Sequence, residues 1–261
     1  MRLKNALGWN QTEADWLRLL QLEPEGCFVA CAKGQLVGTV TAIAYGTDLA
    51  WIGMMLVDPA FRRRGIGASL MRACMAYLHA KGVRTVKLDA TPAGRPLYES
   101  LGFVPELTIE RWEGRAVDRA ATGVGPITDR ASLFALDRHA FGVDRSHVLQ
   151  TLLADAPALG VLDVAGNLQG YALRRRGSRA AYIGPIVAQN SETALLLLDA
   201  QLSAHSGETL FIDFHPGAAN SSCLAERGFT KQRDLTRMHF GEPSPAGTNP
   251  MVFAIAGPEV G

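Results

Sequence analysis

The chain has 261 residues, a length that fits one domain or two at about 150 residues per domain. Apolar residues make up 48% and charged residues 20%, which is globular composition and excludes a largely disordered, coiled-coil or collagen-like protein. The formal net charge is +1, so bulk electrostatics give no reason to expect nucleic acid or an anionic membrane as a partner.

Membrane spans and metal sites are not expected either. No stretch approaches about 18 consecutive apolar residues, and the first residues lead into a polar segment without the apolar core of a signal peptide. We therefore expect a cytoplasmic protein without a membrane partner. The four cysteines form no CxxC pair and no Cys/His set with zinc spacing, which predicts reduced thiols and no metal site.

The first half of the chain alternates predicted helices and strands. Thr12 and the acidic residues after it suit the start of a helix, and Gly82 suits the end of a strongly amphipathic one. The predicted elements are, in chain order, a helix over 11–22, strands over 26–32, 36–45 and 50–57, a helix over 66–81, a strand over 84–90, a helix over 94–101 and a strand over 103–112.

The second half repeats the first. Four short segments recur in the same order between 124 and 132 positions later. The matching pairs are 34–40 with 166–172, 51–53 with 182–184, 88–92 with 212–216, and Gly102, Phe103 and Arg111 with Gly228, Phe229 and Arg237. Four pairs at a nearly constant offset predict two copies of one α/β unit.

The boundary between the copies is an irregular stretch over 113–126 with three glycines and a proline. We predict an N-terminal domain over 1–114, a linker over 115–125 and a C-terminal domain over 126–261. An apolar run over 251–256 is predicted as a strand that closes the second domain.

The loop between the predicted strand 50–57 and the helix 66–81 carries the strongest chemical signal. It reads Arg62-Arg63-Arg64-Gly65-Ile66-Gly67-Ala68. Glycines let the backbone approach a ligand closely, and the free amides at a helix start bind pyrophosphate. The arginines add charge for further phosphates. Taken alone, the loop is equally compatible with a solvated basic turn.

Two motifs in this half resemble the GNAT superfamily of acyltransferases. Arg62-x-x-Gly65-x-Gly67-Ala68, after a strand ending in Leu-Val-Asp-Pro, resembles the acetyl-CoA signature of that family, and Leu-Tyr-Glu-Ser-Leu-Gly-Phe follows downstream at 97–103. The duplication resembles bacterial tandem-GNAT proteins with a degenerate second domain. The resemblance implies an α/β (α+β) fold of two tandem GNAT-like domains, each a mixed, mainly antiparallel twisted sheet flanked by helices.

The resemblance also implies roles for individual residues. Strand residues Met55, Leu56 and Val57 would line the pantetheine arm of acetyl-CoA, and the Met55 amide would stabilise the oxyanion. Tyr98 would give a proton to the departing thiolate, unless it is a core aromatic. The pyrophosphate would be held by Arg62, Arg63, Arg64, Gly65, Ile66, Gly67 and Ala68.

The general base stays open in the sequence. Trp51 occupies a position where some members of the family carry a glutamate. The candidates are Asp89 and Glu106, although a structural or solvated carboxylate is the favoured interpretation of each, and a water chain or a low-pKa amine would need neither. The acceptor pocket is expected at Trp9, Asn10 and Trp51, with both tryptophans as core residues the alternative.

The second half lacks the loop. From Gly184 to Gly207 there are 23 positions, against 29 from Gly53 to Gly82, and Leu224 stands where Tyr98 would. This half is therefore expected to bind CoA poorly or not at all. Asp144 could hold a substrate cation, or it could pair locally at a helix end. A helix over 192–204 is predicted with Ser191 as its N-cap.

We therefore expect an N-acetyltransferase that moves acetyl from acetyl-CoA to the primary amine of a small molecule by direct attack in a ternary complex. One alternative is a non-catalytic acyl-CoA-binding sensor or regulatory protein. A second is an acyltransferase for a longer acyl-CoA, against which Met55 argues. Unpaired sheet edges in tandem units would permit a homodimer.

Overall fold

The computed structural model describes residues 2–261, which divide into two compact units. Unit 1 contains the residues up to Leu107, together with Thr236–Ser244 and Pro258–Gly261. Unit 2 contains Thr108–Leu235 and Pro245–Gly257. Neither unit is a contiguous piece of the chain, so both differ from the linear division at 1–114, 115–125 and 126–261.

From residue 2 onward, the described part of the first half forms four α-helices and five strands, besides two short 3-10 turns. They are α1 (Arg2–Ala6), α2 (Glu13–Leu22), β1 (Cys27–Ala32), β2 (Gln35–Tyr45), β3 (Leu49–Val57), α3 (Ile66–Ala80), β4 (Thr85–Ala90), α4 (Arg95–Ser100) and β5 (Val104–Arg115). The predicted start of α2 is confirmed by a capping box, in which Thr12 and Asp15 each accept a backbone N–H from the other.

The second half forms four helices and seven strands. They are β6 (Val124–Pro126), α5 (Arg130–Phe141), α6 (Ser146–Leu153), β7 (Leu159–Leu162), β8 (Leu168–Arg175), β9 (Ala181–Ala188), α7 (Ser191–Ala204), β10 (Thr209–Phe214), α8 (Ser222–Ala225), β11 (Thr230–Gly241) and β12 (Val252–Ala254). The N-cap of α7 is Asn190, whose side chain accepts from Thr193, and the prediction of Ser191 is wrong by one residue.

In unit 1 the strands follow the order β1-β2-β3-β4, and the residues of β11 from Thr236 onward pair with β4. Strands β3 and β4 are parallel, and the other recorded pairings of this unit are antiparallel. Helix α3 packs on one face of this sheet. The buried cluster there includes Val40, Ala42, Ile52, Leu70, Met71, Cys74, Leu78, Leu88 and Phe103.

In unit 2 the second part of β5 pairs antiparallel with β10, from Glu110 opposite Phe214 to Arg115 opposite Thr209. Strands β9 and β10 are parallel, as β3 and β4 are in unit 1. Helix α7 contributes to the core as α3 does in unit 1. Its cluster includes Ile183, Ile186, Leu197, Leu198, Leu202, Leu210, Ile212 and Phe229.

Both units are thus mixed, mainly antiparallel sheets flanked by helices, as predicted. Among residues 2–261, no helix has the length and apolar character that crossing a membrane requires.

Candidate active site

A β-bulge interrupts β3, an interior strand of the unit 1 sheet. Gly53 lies opposite Thr41 and Leu56 opposite Thr39, so Met54 and Met55 are accommodated in an irregular register. Met54 has a φ of +50°, and its carbonyl accepts from the Thr39 hydroxyl at 2.8 Å.

Strands β3 and β4 separate where the bulge begins. Within the described residues, their parallel pairing runs from Leu49 opposite Thr85 to Trp51 opposite Lys87 and ends there. The backbone of β3 beyond Trp51 therefore lies at an edge that an extended ligand arm can join as an additional strand.

The glycine-containing loop lies between this bulged strand and α3. Asp58 accepts from the Ala60 amide and caps a short 3-10 turn over Pro59–Phe61. Gly65 precedes α3 with a φ of +78°, a conformation that favours glycine. The first amides of α3 have no acceptor within their own helix, and the positive end of the helix dipole lies behind them. The arginines preceding Gly65 are exposed to solvent.

Gly67 holds the start of α3 close to the bulged strand and to α4. A Cβ at this position would lie 3.1 Å from Leu97 Cδ2, 3.7 Å from Val57 Cγ2 and 3.9 Å from Met55 Cε. The predicted phosphate loop and the predicted oxyanion strand are therefore neighbours. The amides at the start of α3 and the arginines fit a pyrophosphate. The part of β3 beyond its pairing with β4 fits the extended arm of a CoA thioester.

Tyr98 lies on α4 in the core of unit 1. The side chain is buried, and its ring makes an edge contact with Phe103 at 6.1 Å between centroids. A Cβ on Gly94 would lie 3.5 Å from the Tyr98 hydroxyl oxygen. Burial raises the pKa of Tyr98 above its ordinary value, so the phenol holds its proton at neutral pH.

Asp89 is bound by an arginine. Its two oxygens accept from Nε and an Nη of Arg237, each at 2.9 Å, and both side chains are fully buried in unit 1. The Arg237 guanidinium lies 4.5 Å from the ring centre of Trp51. A carboxylate with both oxygens on one guanidinium is poorly placed to accept a proton from an amine.

Glu106 also lies against two basic side chains of unit 1. Its carboxylate is 2.8 Å from Lys87 Nζ and 3.1 Å from His239 Nδ1. Burial lowers the pKa of Lys87, and the adjacent Glu106 opposes that shift. These contacts favour the structural interpretation of both candidate bases.

The predicted acceptor residues occupy different surroundings. Trp51 is fully buried, and its indole N–H donates to the Pro258 carbonyl at 3.1 Å, which makes it a core residue of unit 1. Asn10 is buried and Trp9 is half-buried in the segment between α1 and α2. Asp144 belongs to unit 2, where it is exposed and accepts from the Ser146 amide at the start of α6.

One carboxylate at this site has no counterpart among the sequence predictions. Glu259 is buried in unit 1, and its side chain accepts from Gln11 Nε2 at 3.1 Å. Its backbone lies directly against Gly53. Residues 258–261 have no hydrophobic period that would have placed them, but a glycine inside a strand is a signal that another backbone approaches closely.

Known proteins resemble both halves of the chain. A model of the Acetyltransferase (GNAT) family matches residues 4–103, and a model of an Acetyltransferase (GNAT) domain matches residues 133–254. The uncharacterized N-acetyltransferase YitH of Bacillus subtilis (strain 168) is 27% identical over 256 residues, which are 94% of this chain and 88% of that protein.

Two further similarities extend along nearly the whole chain. A holothin acyltransferase of Pseudoalteromonas sp. (strain SANK 73390) is 26% identical over 263 residues, covering 97% of this chain and 87% of the relative. A crystal structure from Pyrococcus horikoshii, assigned to the acetyltransferases, superposes with a TM-score of 0.80 at 26% identity. That superposition covers 95% of this chain and 84% of the other.

Proposed function

Because the chain belongs to the GNAT superfamily and is an acyltransferase, we propose that it transfers acetyl from acetyl-CoA to the primary amine of a small molecule. The proposal rests on the presence of the bulged strand, the glycine loop and Tyr98 within one unit. The similarity to a holothin acyltransferase over 97% of the chain supports acyl transfer.

Acetyl-CoA is held along β3 and at the start of α3 in this proposal. Met55, Leu56 and Val57 pair with the pantetheine arm, and the Met55 amide faces the thioester oxygen. The pyrophosphate is bound by the residues of the loop and the first turn of α3, Arg62, Arg63, Arg64, Gly65, Ile66, Gly67 and Ala68.

The reaction is direct attack within a ternary complex. The amine loses a proton, its nitrogen forms a bond to the acetyl carbonyl carbon, and the carbon–sulfur bond then breaks. Tyr98 gives its proton to the departing thiolate. Burial raises the pKa of Tyr98, and the same apolar surroundings raise the basicity of a thiolate beside it.

Acetyl-CoA binding is confined to unit 1 in this proposal. Only residues 189–190 separate β9 from α7, whereas residues 58–65 separate β3 from α3. Leu224, which matches Tyr98 in the repeat, is a buried apolar residue. Unit 2 therefore offers neither the loop nor the acid.

The test is thiol release from acetyl-CoA with propylamine, benzylamine, tyramine and a peptide with a free N-terminal alanine. Turnover with at least one of the three small amines is expected, and octanoyl-CoA should be a poorer donor. Thiol release with the peptide alone, or with none of these acceptors, would contradict the proposal.

A further inference from the structure

The segment Pro258–Gly261 is fixed on one face of β3 in unit 1. The Trp51 indole N–H donates to the Pro258 carbonyl at 3.1 Å, and the Tyr45 hydroxyl donates to the Val260 carbonyl at 2.7 Å. A Cβ on Gly261 would lie 2.8 Å from Trp51 Cε3. Both aromatic side chains are buried, so the segment is part of the packed structure of the unit.

Glu259 lies against the residue that precedes the bulge. A Cβ on Gly53 would lie 2.5 Å from Glu259 Cα and 2.8 Å from Glu259 Cβ, so only a glycine at position 53 allows this approach. The next two residues of the strand are Met54 and Met55 of the bulge. Glu259 is therefore next to the part of β3 at which the thioester is proposed to lie.

The Glu259 side chain is directed toward the segment between α1 and α2. Gln11, from that segment, donates from Nε2 to Glu259 Oε2 at 3.1 Å, and it is buried next to buried Asn10. Glu259 thus contacts β3 through its backbone and the expected acceptor region through its carboxylate, and a general base must lie near that region to remove a proton from the acceptor.

We propose that Glu259 is the general base of the acetyl transfer, an inference that rests on the proposed function. Asp89 and Glu106 are bound by Arg237 and Lys87, two basic residues that lie beside Trp51 of β3. The Glu259 backbone and Cβ lie against Gly53 of β3, one position before the bulge, and its carboxylate accepts from Gln11.

The Glu259 carboxylate takes one proton from the ammonium form of the acceptor, and the neutral nitrogen attacks the acetyl carbonyl carbon. Breaking of the carbon–sulfur bond gives the amide and the thiolate. Tyr98 protonates the thiolate and is restored by the second nitrogen proton, while Glu259 releases its proton to solvent.

The test compares wild type with Glu259→Gln, using acetyl-CoA and whichever of the small amines named above the wild type acetylates fastest. Loss of a general base is expected to lower kcat/KM about 10²- to 10⁴-fold at pH 7, with the Kd of acetyl-CoA unchanged. In Glu259→Gln, kcat/KM should rise about tenfold per pH unit up to the pKa of the amine, because only the free amine then reacts. A purely structural role would not produce that slope. Glu25→Gln, at an exposed site of unit 1, is the control and should match wild type.

Glu259→Asp supplies a second variant in case Glu259→Gln does not fold. It retains a carboxylate at a shorter reach and should keep the pH profile of the wild type at a lower kcat. The assignment of the base would be overturned by an unchanged kcat/KM and pH profile in Glu259→Gln or by a rate above wild type in that variant. A full rate in Glu259→Asp would overturn it as well. These outcomes would leave the proposed function intact. Absence of turnover by the wild type would overturn both.

Discussion

Arg237 and Arg111 occupy matching positions of the sequence repeat, and each binds a buried aspartate. In unit 1 Arg237 binds Asp89, and in unit 2 Arg111 Nε donates to Asp213 at 2.7 Å. Asp89 and Asp213 also match in the repeat. The pair recurs because a buried carboxylate is stable only when a cation binds it, and a guanidinium matches the geometry of its two oxygens.

Removing the cation of such a pair should be costly. Arg237→Ala leaves Asp89 buried without its guanidinium, and we expect the free energy of unfolding to fall by about 3–5 kcal/mol. Arg176→Ala, at an exposed arginine, should change it by no more than about 0.5 kcal/mol. Urea unfolding measures both. A loss below about 1 kcal/mol in Arg237→Ala would show that the pair contributes little beyond packing.

Tyr98→Phe tests the proposed acid because it removes the hydroxyl and keeps the ring that packs against Phe103. We expect kcat to fall about 10²- to 10⁴-fold, with an unchanged Kd for acetyl-CoA. An acid must be protonated to act, and burial raises the pKa of Tyr98. Wild-type kcat should therefore show no alkaline limb from this group below about pH 10. Full activity in Tyr98→Phe would make this residue a core aromatic.

The sequence predicted the residues that local patterns mark, and it did not predict those that depend on distant contacts. The arginine–glycine loop has a local signature, and the structure places its residues at the start of α3. Glu259 is 206 positions from Gly53 in the chain, and Arg237 is 148 positions from Asp89. Neither partner could be inferred without knowing which chain segments meet.

Among the elements, α3 and the loop before it are the part of unit 1 proposed to bind the pyrophosphate of acetyl-CoA. Gly65 and Gly82 flank this helix, both with positive φ and with no atom within 4 Å of an added Cβ. A substitution at either position therefore has a similar backbone cost. Gly65 lies in the proposed phosphate loop, however, and Gly82 lies at the other end of α3.

This pair gives a matched test of the loop. Gly65→Asp places a negative charge where the pyrophosphate is proposed to bind, and we expect the Kd of acetyl-CoA to rise at least about tenfold, or about 1.4 kcal/mol. Gly82→Asp adds the same side chain at the other end of α3 and should leave the Kd within about twofold of wild type. Calorimetry distinguishes the two, and equal losses in both variants would indicate a general effect on α3.

The elements of the first half other than α1 could be predicted, because apolar periodicity and turn residues determine them locally, whereas most elements of the second half followed only from the repeat. The α3 prediction differs from the observed helix by one residue at its end. One error arose at the start of α7, where Asn190 and Ser191 are neighbours and either side chain could cap the helix. Others arose where pairing extends or shortens a strand, as with β12, which is restricted to Val252–Ala254.

In the whole molecule, each half of the chain contributes a strand segment to the unit that the other half mainly forms. β5 leaves unit 1 after Leu107, and β11 enters it at Thr236. The sequence repeat could not predict this exchange, because equivalent strands of two similar units present similar patterns and the repeat does not specify which copy each one joins.

The exchange predicts that the halves do not fold separately. A fragment over 1–125 lacks Thr236–Ser244, which includes the strand partner of β4 and the guanidinium that binds Asp89. We expect it to show no cooperative thermal transition by circular dichroism, and coexpression with 126–261 should restore one. A cooperative transition in the isolated fragment would mean that this segment is dispensable for unit 1.

We propose that the two related units provide one acetyl-CoA site, formed by the loop, β3 and α3 of unit 1. Isothermal titration of the full chain with acetyl-CoA measures the number of sites. We predict one site per chain, strongly weakened by Gly65→Asp and retained in Gly82→Asp. Two sites per chain, or one site unaffected by Gly65→Asp, would contradict the account.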